Sequence, residues 1–422
     1  MCWNPVLDFF VEVKNTFIEC WGEEKLWDYQ HNGDSFTNCV SYWTWWIANT
    51  GHHKRHYYND IIHNLLINEY DGMILLKYKD LDIDWDAYNG FYMECRSVVI
   101  DIYNNKLILT PFRKFRNINE CEENQIDRIR ERIKNASRVE ITDKLDGSMV
   151  SARFYNNRIV ISGSQALDEN KSYRLHNYYD WVFTHNNIFF MLVNNPNCTF
   201  IFEGIFPDDT HVVQYDESMW GLHLIGVRGV YTGVEWPYYN VVDIAEQFNV
   251  PHVKIFDMTF DEAYQDTLNN GRLANEGEGY VIDIDGYKVK VKYTDYVLIH
   301  KAIGNMLSHN AILNAIHEGR WDDFYSKIPL AYQPQAKEIA DNIFDYIQIY
   351  SNYVDKWWHT IIRMTNYTTD RKTFMIAVNE NVPKRYQGAV RAWFLGKEID
   401  YLHGVKYVDI LDYLDFIQAM KN

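Results

Sequence analysis

The chain has 422 residues, of which 47% are hydrophobic and 23% are charged. This composition is typical of a globular protein with one large core or two smaller ones. No stretch approaches about 18 consecutive apolar residues, which excludes a membrane span. Asp8 and Glu12 interrupt the only apolar candidate for a signal peptide, and the six cysteines form no C-x-x-C pair. We therefore expect a cytoplasmic protein without a disulfide framework or a cysteine zinc site.

The charge is acidic and unevenly distributed. With 41 Lys and Arg against 58 Asp and Glu, the chain carries a formal charge of -17, which disfavours a protein that coats nucleic acid. Residues 301–422 hold 14 basic and 14 acidic residues, so the whole acidic excess lies in residues 1–300. A site for a polyanion in that first part must therefore be a local cluster of cations.

Residues 1–93 are rich in aromatic side chains. The run Ser41–Ala48 (S-Y-W-T-W-W-I-A) could stack on nucleic-acid bases, but a buried aromatic cluster is the better interpretation. The basic, histidine-rich Gly51–His56 is interpreted as a solvated loop, because adjacent His52 and His53 cannot face one metal ion from a regular element.

From residue 95 to residue 292 the pattern predicts strands with a few helices between them. Ser97–Ile102 and Lys106–Thr110 flank an Asn104-Asn105 turn, which is typical of a β-hairpin. Glu122–Asn135 carries isoleucines at helical spacing and charges on its other face, which predicts an amphipathic helix. The remaining predictions are turns at Asn156-Asn157 and Asp285-Gly286, and helices near Asp168–Thr184 and Thr259–Asn269.

Beyond Asp295 the strand alternation stops and amphipathic helices follow. A composition shift near Lys301–Ser308 predicts a boundary between a strand-rich domain, residues 1–302, and a helical domain, residues 303–422. The expected fold class is therefore α+β, with antiparallel sheets followed by an all-α domain. The predicted helices are Ala311–His317, Ala336–Tyr350, Val354–Met364 and Tyr407–Met420.

The motif Lys144-Leu145-Asp146-Gly147-Ser148 lies between two predicted strands and is the sharpest local signal. Turn chemistry alone would explain Asp146 and Gly147 beside an exposed lysine. Four other clusters of charged residues accompany this motif, however, and together they favour a chemical role for Lys144.

The second cluster is a strand of alternating lysines and valines. Strand geometry places the ammonium groups of Lys288, Lys290 and Lys292 on one face. Like charges so close together repel one another unless the face is solvated or holds an anion, and a solvated edge strand is the alternative interpretation. The third cluster, Glu278–Val281, leads into this strand and adds a carboxylate that could orient a nucleophile or hold a hydrated metal ion.

Two further clusters complete the set. Glu203 interrupts the otherwise apolar strand Thr199–Phe206, and an unpartnered buried charge is costly, so we expect Glu203 to face a polar cleft. Cations and aromatic residues interleave in Glu94–Arg96 and Pro111–Asn117, as contacts to phosphates and bases would require.

Together these residues suit a site for a triphosphate. A lysine nucleophile must lose its proton, and its ordinary pKa near 10.4 leaves it almost fully charged at neutral pH. We predict that burial and neighbouring cations depress the pKa of Lys144, with Lys290, Lys292 and a magnesium ion on the phosphates supplying the field. The same groups would stabilise the charge that develops at the α-phosphorus and on pyrophosphate.

This set of motifs resembles the covalent nucleotidyltransferases, and most closely the phage-type RNA ligases of tRNA repair, the RNA ligase 1 type. The resemblance runs from about Tyr78 to Phe374 and implies a nucleotidyltransferase domain with ATP-grasp-like antiparallel sheets. In that family the lysine of K-x-D-G becomes lysyl-AMP, which assigns the catalytic role to Lys144. Asp146 and Gly147 complete the nucleotide-binding motif.

The resemblance also implies contacts to ATP elsewhere in the chain. The family's E-C-R and P-x-x-K-F-x-N-x-N-E elements stand here as Glu94–Arg96 and Pro111–Glu120. The residues that these and the other family motifs assign to ATP are Tyr78, Arg96, Lys114, Glu203, Glu278, Lys290 and Lys292.

A divalent metal is implied as well, either magnesium or manganese. A D-D pair that follows the last family lysine is similar to Asp322-Asp323 and makes Asp322 a metal-associated residue. Glu203 and Glu278 would contribute through water. One position departs from the family pattern, because Ser162–Gln165 carries no cation where the family has a basic residue near the phosphates.

The implied reaction is the ATP-dependent joining of 5′-phosphate and 3′-hydroxyl RNA ends through lysyl-AMP and RNA-adenylate. The expected partners are single-stranded or nicked-loop RNA ends, above all tRNA, together with a separate end-healing kinase/phosphatase. The protein is expected to be a monomer in the cytoplasm, or in the host cytoplasm if it is viral, and its helical domain is expected to bind RNA.

Two alternatives remain open. A GTP-dependent mRNA-capping transferase or a DNA ligase shares the K-x-D-G core, although those families append a strand-rich OB domain where this sequence turns helical. A non-catalytic RNA-binding protein that retains the fold is the alternative from another class.

Overall fold

The computed structural model describes residues 3–28, 38–79, 83–85, 87–209, 211–329 and 332–397, together with Tyr401, Val405, Ile410 and Tyr413. The chain divides into two compact units, residues 1–297 and residues 298–422. The search for a helix long and apolar enough to cross a membrane found none within the described ranges. Most of the predicted helix Tyr407–Met420 lies outside the described residues.

Three helices open the first unit. Helix α1 begins after Asn4, whose Oδ1 accepts hydrogen bonds from the backbone N–H groups of Val6 and Leu7, and Pro5 occupies its first turn. Tyr42 and Trp43 are buried in the second helix, so the prediction of a buried aromatic cluster is confirmed for these two rings, whereas Trp45 is exposed. The three helices are α1 (Pro5–Trp21), α2 (Cys39–Asn49) and α3 (Arg55–His63).

The predicted loop at Gly51–His56 is correct only in its first half. Residues 51–54 form turns, and helix α3 begins at Arg55 and runs to His63.

The first sheet packs against these helices and has the antiparallel order β1-β2-β3-β4. Its second face contributes Leu75 and Val99 to a smaller cluster with Tyr155 and Val160 of another sheet. The pairing of β3 with β4 confirms the predicted hairpin. The strands are β1 (Leu65–Tyr70), β2 (Met73–Tyr78), β3 (Arg96–Asp101) and β4 (Lys106–Leu109).

Two further sheets are antiparallel. The sheet with the order β11-β10-β5 carries the motif lysines, and the sheet with the order β7-β6-β8-β9 carries Glu203. The predicted turns are confirmed. Asn156 and Asn157 have φ angles of 48° and 60°, and Asp285 and Gly286 have φ angles of 51° and 92°, as tight hairpins require. The strands are β5 (Val139–Lys144), β6 (Ser148–Tyr155), β7 (Arg158–Ser162), β8 (Cys198–Ile205), β9 (Gly221–Gly229), β10 (Gly279–Ile284) and β11 (Tyr287–Lys292).

Helices fill the connections between these strands. The three predicted helical regions are confirmed, but Asn186–Asn194 and Tyr238–Phe248 are helices where the pattern had predicted strands. Their apolar runs are short, and hydrophobicity alone does not separate a short buried helix from a strand. The helices are α4 (Ala87–Glu94), α5 (Ile126–Lys134), α6 (Tyr173–Thr184), α7 (Asn186–Asn194), α8 (Tyr238–Phe248) and α9 (Phe260–Leu268).

The second unit is helical, so the α+β class with antiparallel sheets followed by helices is confirmed. The two helices predicted at residues 336–350 and 354–364 are one continuous helix, because the intervening Ser351-Asn352-Tyr353 contains no glycine or proline. Helix α10 contains the boundary between the units. The helices are α10 (Thr294–Met306), α11 (His309–His317), α12 (Trp321–Tyr325), α13 (Gln333–Met364), α14 (Arg371–Asn381) and α15 (Lys384–Phe394).

Candidate active site

A cavity of about 160 Å³ lies in the first unit, where strands β5, β10 and β11 face strands β8 and β9. Charged and apolar side chains line it together, as in a pocket where apolar contacts and a few polar groups bind one ligand. The charged lining residues are Arg96, Asp143, Lys144, Glu203, Asp283, Lys288, Lys290 and Lys292. The apolar lining residues include Phe112, Phe115, Ile225, Trp236, Tyr238, Val253 and Val281.

Strand register brings the motif lysines together. Gly279 of β10 pairs with Lys144 of β5 on one side and with Lys292 of β11 on the other. The buried carboxylate of Glu278, one residue earlier, bridges the two ammonium groups. Its Oε2 lies 2.6 Å from the Nζ of Lys144, and its Oε1 lies 2.7 Å from the Nζ of Lys292. Residues 134 positions apart therefore form one ion-paired group.

The motif glycines are required by close backbone approaches. A Cβ atom at Gly147 would lie 2.5 Å from the carbonyl oxygen of Gly204 on β8. Gly279 has a φ of +144°, and a Cβ there would lie 2.1 Å from the carbonyl oxygen of Val291. Any side chain at either position would push apart the strands that carry Lys144, Glu203 and Lys292.

Asp146 holds the loop that follows Lys144. Its carboxylate accepts hydrogen bonds from the Tyr296 hydroxyl at 2.7 Å and from the Val213 N–H at 3.0 Å. Its own N–H donates to the Tyr215 hydroxyl at 2.9 Å, and the ring of His211 lies 3.6 Å from its Oδ1. Sequence reasoning missed these four partners, because contacts spanning 65 to 150 residues leave no local pattern.

Glu203 lines the same cavity as Lys144, as expected of a carboxylate that faces a cleft. Its Oε1 accepts a hydrogen bond from the Gly147 N–H at 3.0 Å. Burial raises its pKa to about 7, and the ionised Glu278 adds to the shift, although Lys144 opposes it. Glu203 therefore changes its charge near neutral pH.

Opposite these carboxylates lie cations whose positive charge is not fully neutralised by nearby acidic groups. Burial, together with the charges of Arg96, Lys144 and Lys292, lowers the pKa of Lys290 to about 7. Arg96 is also buried, which lowers its pKa, and its Nη1 has no hydrogen-bond partner within the described part of the chain. A buried guanidinium nitrogen without a partner beside a crowded lysine fits the binding of an anion.

The predicted low pKa of Lys144 is wrong for the chain without nucleotide. Burial lowers the pKa of Lys144, but the carboxylates of Glu278, Glu203 and Asp146 together outweigh it, so the pKa is raised. The cations expected around Lys144 are present, but the carboxylate of Glu278 is in direct contact with the Lys144 ammonium. Lys290, by contrast, has a depressed pKa.

The three lysines of β11 line the same cavity, which confirms that they share one face. However, nearby carboxylates do not neutralise the three ammonium groups to the same extent. The Nζ of Lys288 lies 2.8 Å from Asp283 and also contacts Glu235, which raises its pKa even though burial lowers it. Lys288 therefore forms ion pairs that hold the structure together.

Five residues of the predicted nucleotide site do not line this cavity. Glu278, Asp146 and Gly147 contact residues that do or adjoin them in the chain, whereas Tyr78 and Lys114 have other surroundings. Tyr78 packs against the aromatic core beneath the helices, and the Nζ of Lys114 lies 4.7 Å from its ring centroid. That Nζ is also 4.1 Å from the ring centroid of Trp85. Lys114 lines a neighbouring cavity of about 280 Å³. Asp322 lies in the first turn of helix α12 in the second unit.

Known proteins that resemble this chain are RNA ligases. A search among curated proteins gave no match. An archaeal ATP-dependent RNA ligase of known structure has a TM-score of 0.41 at 13% identity, with 69% of this chain and 78% of that chain covered. A mutant Naegleria gruberi RNA ligase with ATP and Mn has a TM-score of 0.34 at 18% identity, with 41% and 55% covered. Residues 94–296 match the family described as RNA ligase.

Proposed function

We propose that the protein is an ATP-dependent RNA ligase that joins a 5′-phosphate to a 3′-hydroxyl through lysyl-AMP and RNA-adenylate. The observation that carries the proposal is the position of Lys144. It ends strand β5 inside a cavity where the buried Arg96 and Lys290 provide charge for a polyphosphate.

The reaction has three displacements at phosphorus. The Nζ of Lys144 attacks the α-phosphorus of ATP, a P–N bond forms, and the bond to the bridging oxygen breaks to release pyrophosphate. An oxygen of the RNA 5′-phosphate then attacks the same phosphorus and breaks the P–N bond, which gives RNA-adenylate. Finally a 3′-oxygen attacks the 5′-phosphorus, loses its proton and expels AMP.

The first displacement requires that Lys144 lose the proton that Glu278 stabilises. Glu278 is a poor acceptor, because Lys144 and Lys292 hold its pKa below the ordinary value despite its burial. Glu203, with a pKa of about 7, is better matched to take this proton at neutral pH. Arg96 and Lys290 would orient the phosphates and stabilise the developing charge.

Glu203 and Glu278 fit a hydrated divalent ion that is also held by phosphates. Within the described ranges, no group of three or more His, Cys, Asp or Glu side chains is placed to hold a metal ion by itself. Bound magnesium or manganese would supply charge that neutralises the phosphates and weakens the ion pair of Lys144. The role of Asp322 stays a prediction of the family resemblance.

The broader role is also part of the proposal. We infer from the family resemblance that broken tRNA is the substrate, that a separate kinase/phosphatase prepares the ends, and that residues 303–422 bind RNA. A cytoplasmic monomer suits this role. The helical second unit supports RNA ligation over capping or DNA ligation, since those enzymes append an OB domain.

Intact-mass spectrometry after incubation with ATP and magnesium tests the first step. We expect one AMP adduct on the wild-type chain and none on Lys144→Ala or Lys144→Arg, both of which should remain folded. Glu278 keeps its contact with Lys292 in both variants. The exposed Lys106 provides the control, because Lys106→Arg should label normally.

The same samples separate the alternatives. Labelling by GTP in place of ATP would favour a capping transferase, and ligation of DNA ends alone would favour a DNA ligase. Persistent labelling of Lys144→Arg would refute the nucleophile, and an unlabelled wild-type chain beside an active control ligase would favour the non-catalytic alternative. Circles of a 5′-phosphorylated single-stranded RNA would establish the complete reaction.

A further inference from the structure

A β-bulge determines which side of the first sheet Arg96 faces. Leu76 of β2 pairs with Val98 of β3, but the next residue, Lys77, pairs with Arg96, so Ser97 is an extra residue. Ser97 has a φ of +70°, as expected for the left-handed position of a bulge. Without the extra residue, Arg96 would share the face of Val98 and point toward the aromatic core under the helices.

The bulge therefore places Lys77 beside Arg96. Directly opposed residues in an antiparallel pair have Cβ atoms about 5 Å apart. Lys77 also shares its face with Leu75, which packs against Val160 of the sheet that carries Ser148 and Glu203. Strand alternation places Tyr78 on the opposite face. Of the two adjacent residues, Lys77 is thus the one on the cavity side.

The ammonium of Lys77 is held over the loop that follows β7. Its Nζ donates to the Oγ of Ser164 at 2.8 Å. The backbone of the same loop is held by the sheet, since the Oγ of Ser97 donates to the Ser164 carbonyl oxygen at 2.6 Å. The Nδ2 of Asn68 donates to the Gln165 carbonyl oxygen at 2.5 Å. The bulge, the loop and the lysine therefore form one fixed arrangement.

We propose that Lys77 binds a phosphate group of the substrates at the edge of the cavity, next to Arg96, and supplies the positive charge that Ser162–Gln165 lacks. This proposal rests on the proposed function. Among the partners of Lys77, the Ser164 hydroxyl is a neutral acceptor, and a phosphate oxygen would take its place because charge-assisted hydrogen bonds are stronger. Ordering by Ser164 places the ammonium in advance, which limits the entropy lost on binding.

The phosphate has two sources, the β- or γ-phosphate of ATP and the 5′-phosphate of RNA. We expect the nucleotide, because Arg96 already lines the nucleotide cavity. Lys77→Met should then raise the KM for ATP in lysyl-AMP formation about tenfold, with little change in kcat. Single-turnover transfer of AMP from preformed lysyl-AMP to 5′-phosphorylated RNA should be unchanged. A defect in this transfer alone would identify the RNA phosphate instead.

Three variants distinguish a charge contact from a structural one. Lys77→Arg should retain most of the affinity, and Ser164→Lys in the Lys77→Met background should restore it from the loop side. Lys79→Met is the matched control, because the Nζ of Lys79 donates to the His63 carbonyl oxygen at 2.9 Å. It should behave as wild type.

The proposal is overturned if Lys77→Met changes neither the KM for ATP nor the transfer step, or if Lys79→Met causes an equal loss. It is also overturned if the folded double variant is no better than Lys77→Met alone. Calorimetric titration with ATP gives a second measurement that requires no turnover. A chain that binds ATP through Lys77 but forms no lysyl-AMP would contradict the proposed function while supporting this proposal.

Discussion

The two carboxylates beside Lys144 have opposite electrostatic environments. Glu278 contacts two ammonium groups and is stabilised as an anion, which lowers its pKa although its burial acts against this. Glu203 is stabilised chiefly by the N–H of Gly147 and the more distant charge of Lys144, and burial raises its pKa to about 7. A pair of acids whose pKa values are driven apart is typical of sites that move protons.

This difference predicts the effect of Glu203→Gln on stability. The pKa of Glu203 is about 7 in the folded chain and about 4.5 in the unfolded chain, so the folded chain holds the proton more tightly. Rising pH therefore removes stability between these two values. The uncharged glutamine avoids this loss. Glu203→Gln should raise the free energy of unfolding by about 3 kcal/mol at pH 8 and by almost nothing at pH 4.

Urea unfolding at the two pH values measures the effect, and intact-mass labelling of the same samples should show slower lysyl-AMP formation. Glu246→Gln, at an exposed position of helix α8, should change neither quantity. A Glu203→Gln variant that is less stable than wild type at pH 8 would contradict the assigned electrostatics. A gain in stability with a loss of activity is what a strained functional carboxylate should give.

The close packing of the Phe112 ring against strand β9 shapes the apolar lining of the cavity. Phe112 is buried against β9 at Gly226, where a Cβ atom would lie only 2.1 Å from its Cζ. Gly226→Ala should therefore displace the ring, reduce the free energy of unfolding by about 1–3 kcal/mol and raise the KM for ATP. Thermal unfolding and lysyl-AMP kinetics measure the two effects.

The same substitution at a second glycine, Gly388, provides the control. Gly388 lies inside helix α15, and no heavy atom would come within 4 Å of an added Cβ. Gly388→Ala should stabilise the chain by about 0.5–1 kcal/mol, since alanine loses less backbone entropy in a helix. Equal behaviour of the two alanine variants would show that the contact between Phe112 and Gly226 does not shape the cavity.

The predicted elements were correct where local chemistry determines them. Asn156-Asn157 and Asp285-Gly286 form tight turns because these residues tolerate positive φ, a property that the sequence states directly. Helix α8 was missed because its valines and aromatic residues are also typical of strands, and only its packing against β9 selects the helix.

At the site, too, the features determined by local chemistry were predicted and those determined by distant contacts were not. The motifs brought Lys144, Glu203, Glu278, Lys290 and Lys292 to one place, since strand register follows from alternation and turn length. The sign of the pKa shift at Lys144 was wrong, because it depends on whether an anion or a cation lies nearer. The bulge at Ser97 was also missed, since no residue type there requires it.

The charge of the whole molecule limits how it can hold RNA. The acidic excess lies in residues 1–300, which also contain the cavity with its buried cations. A long RNA passing over an acidic surface gains little from counterion release, whereas an RNA end that reaches the local cations gains from each contact. Recognition should therefore concentrate on the terminal nucleotides.

The affinity of the protein for RNA should therefore depend only weakly on RNA length and on salt concentration. If about four phosphates are neutralised, a plot of log affinity against log salt should have a slope near -3, because single strands contribute about 0.7 per contact. Fluorescence anisotropy with short and long 5′-phosphorylated RNAs of one sequence, titrated at several KCl concentrations, measures both quantities. A protein that binds along the strand would instead show a slope that steepens with RNA length, and that result would place the main RNA contacts outside the cavity.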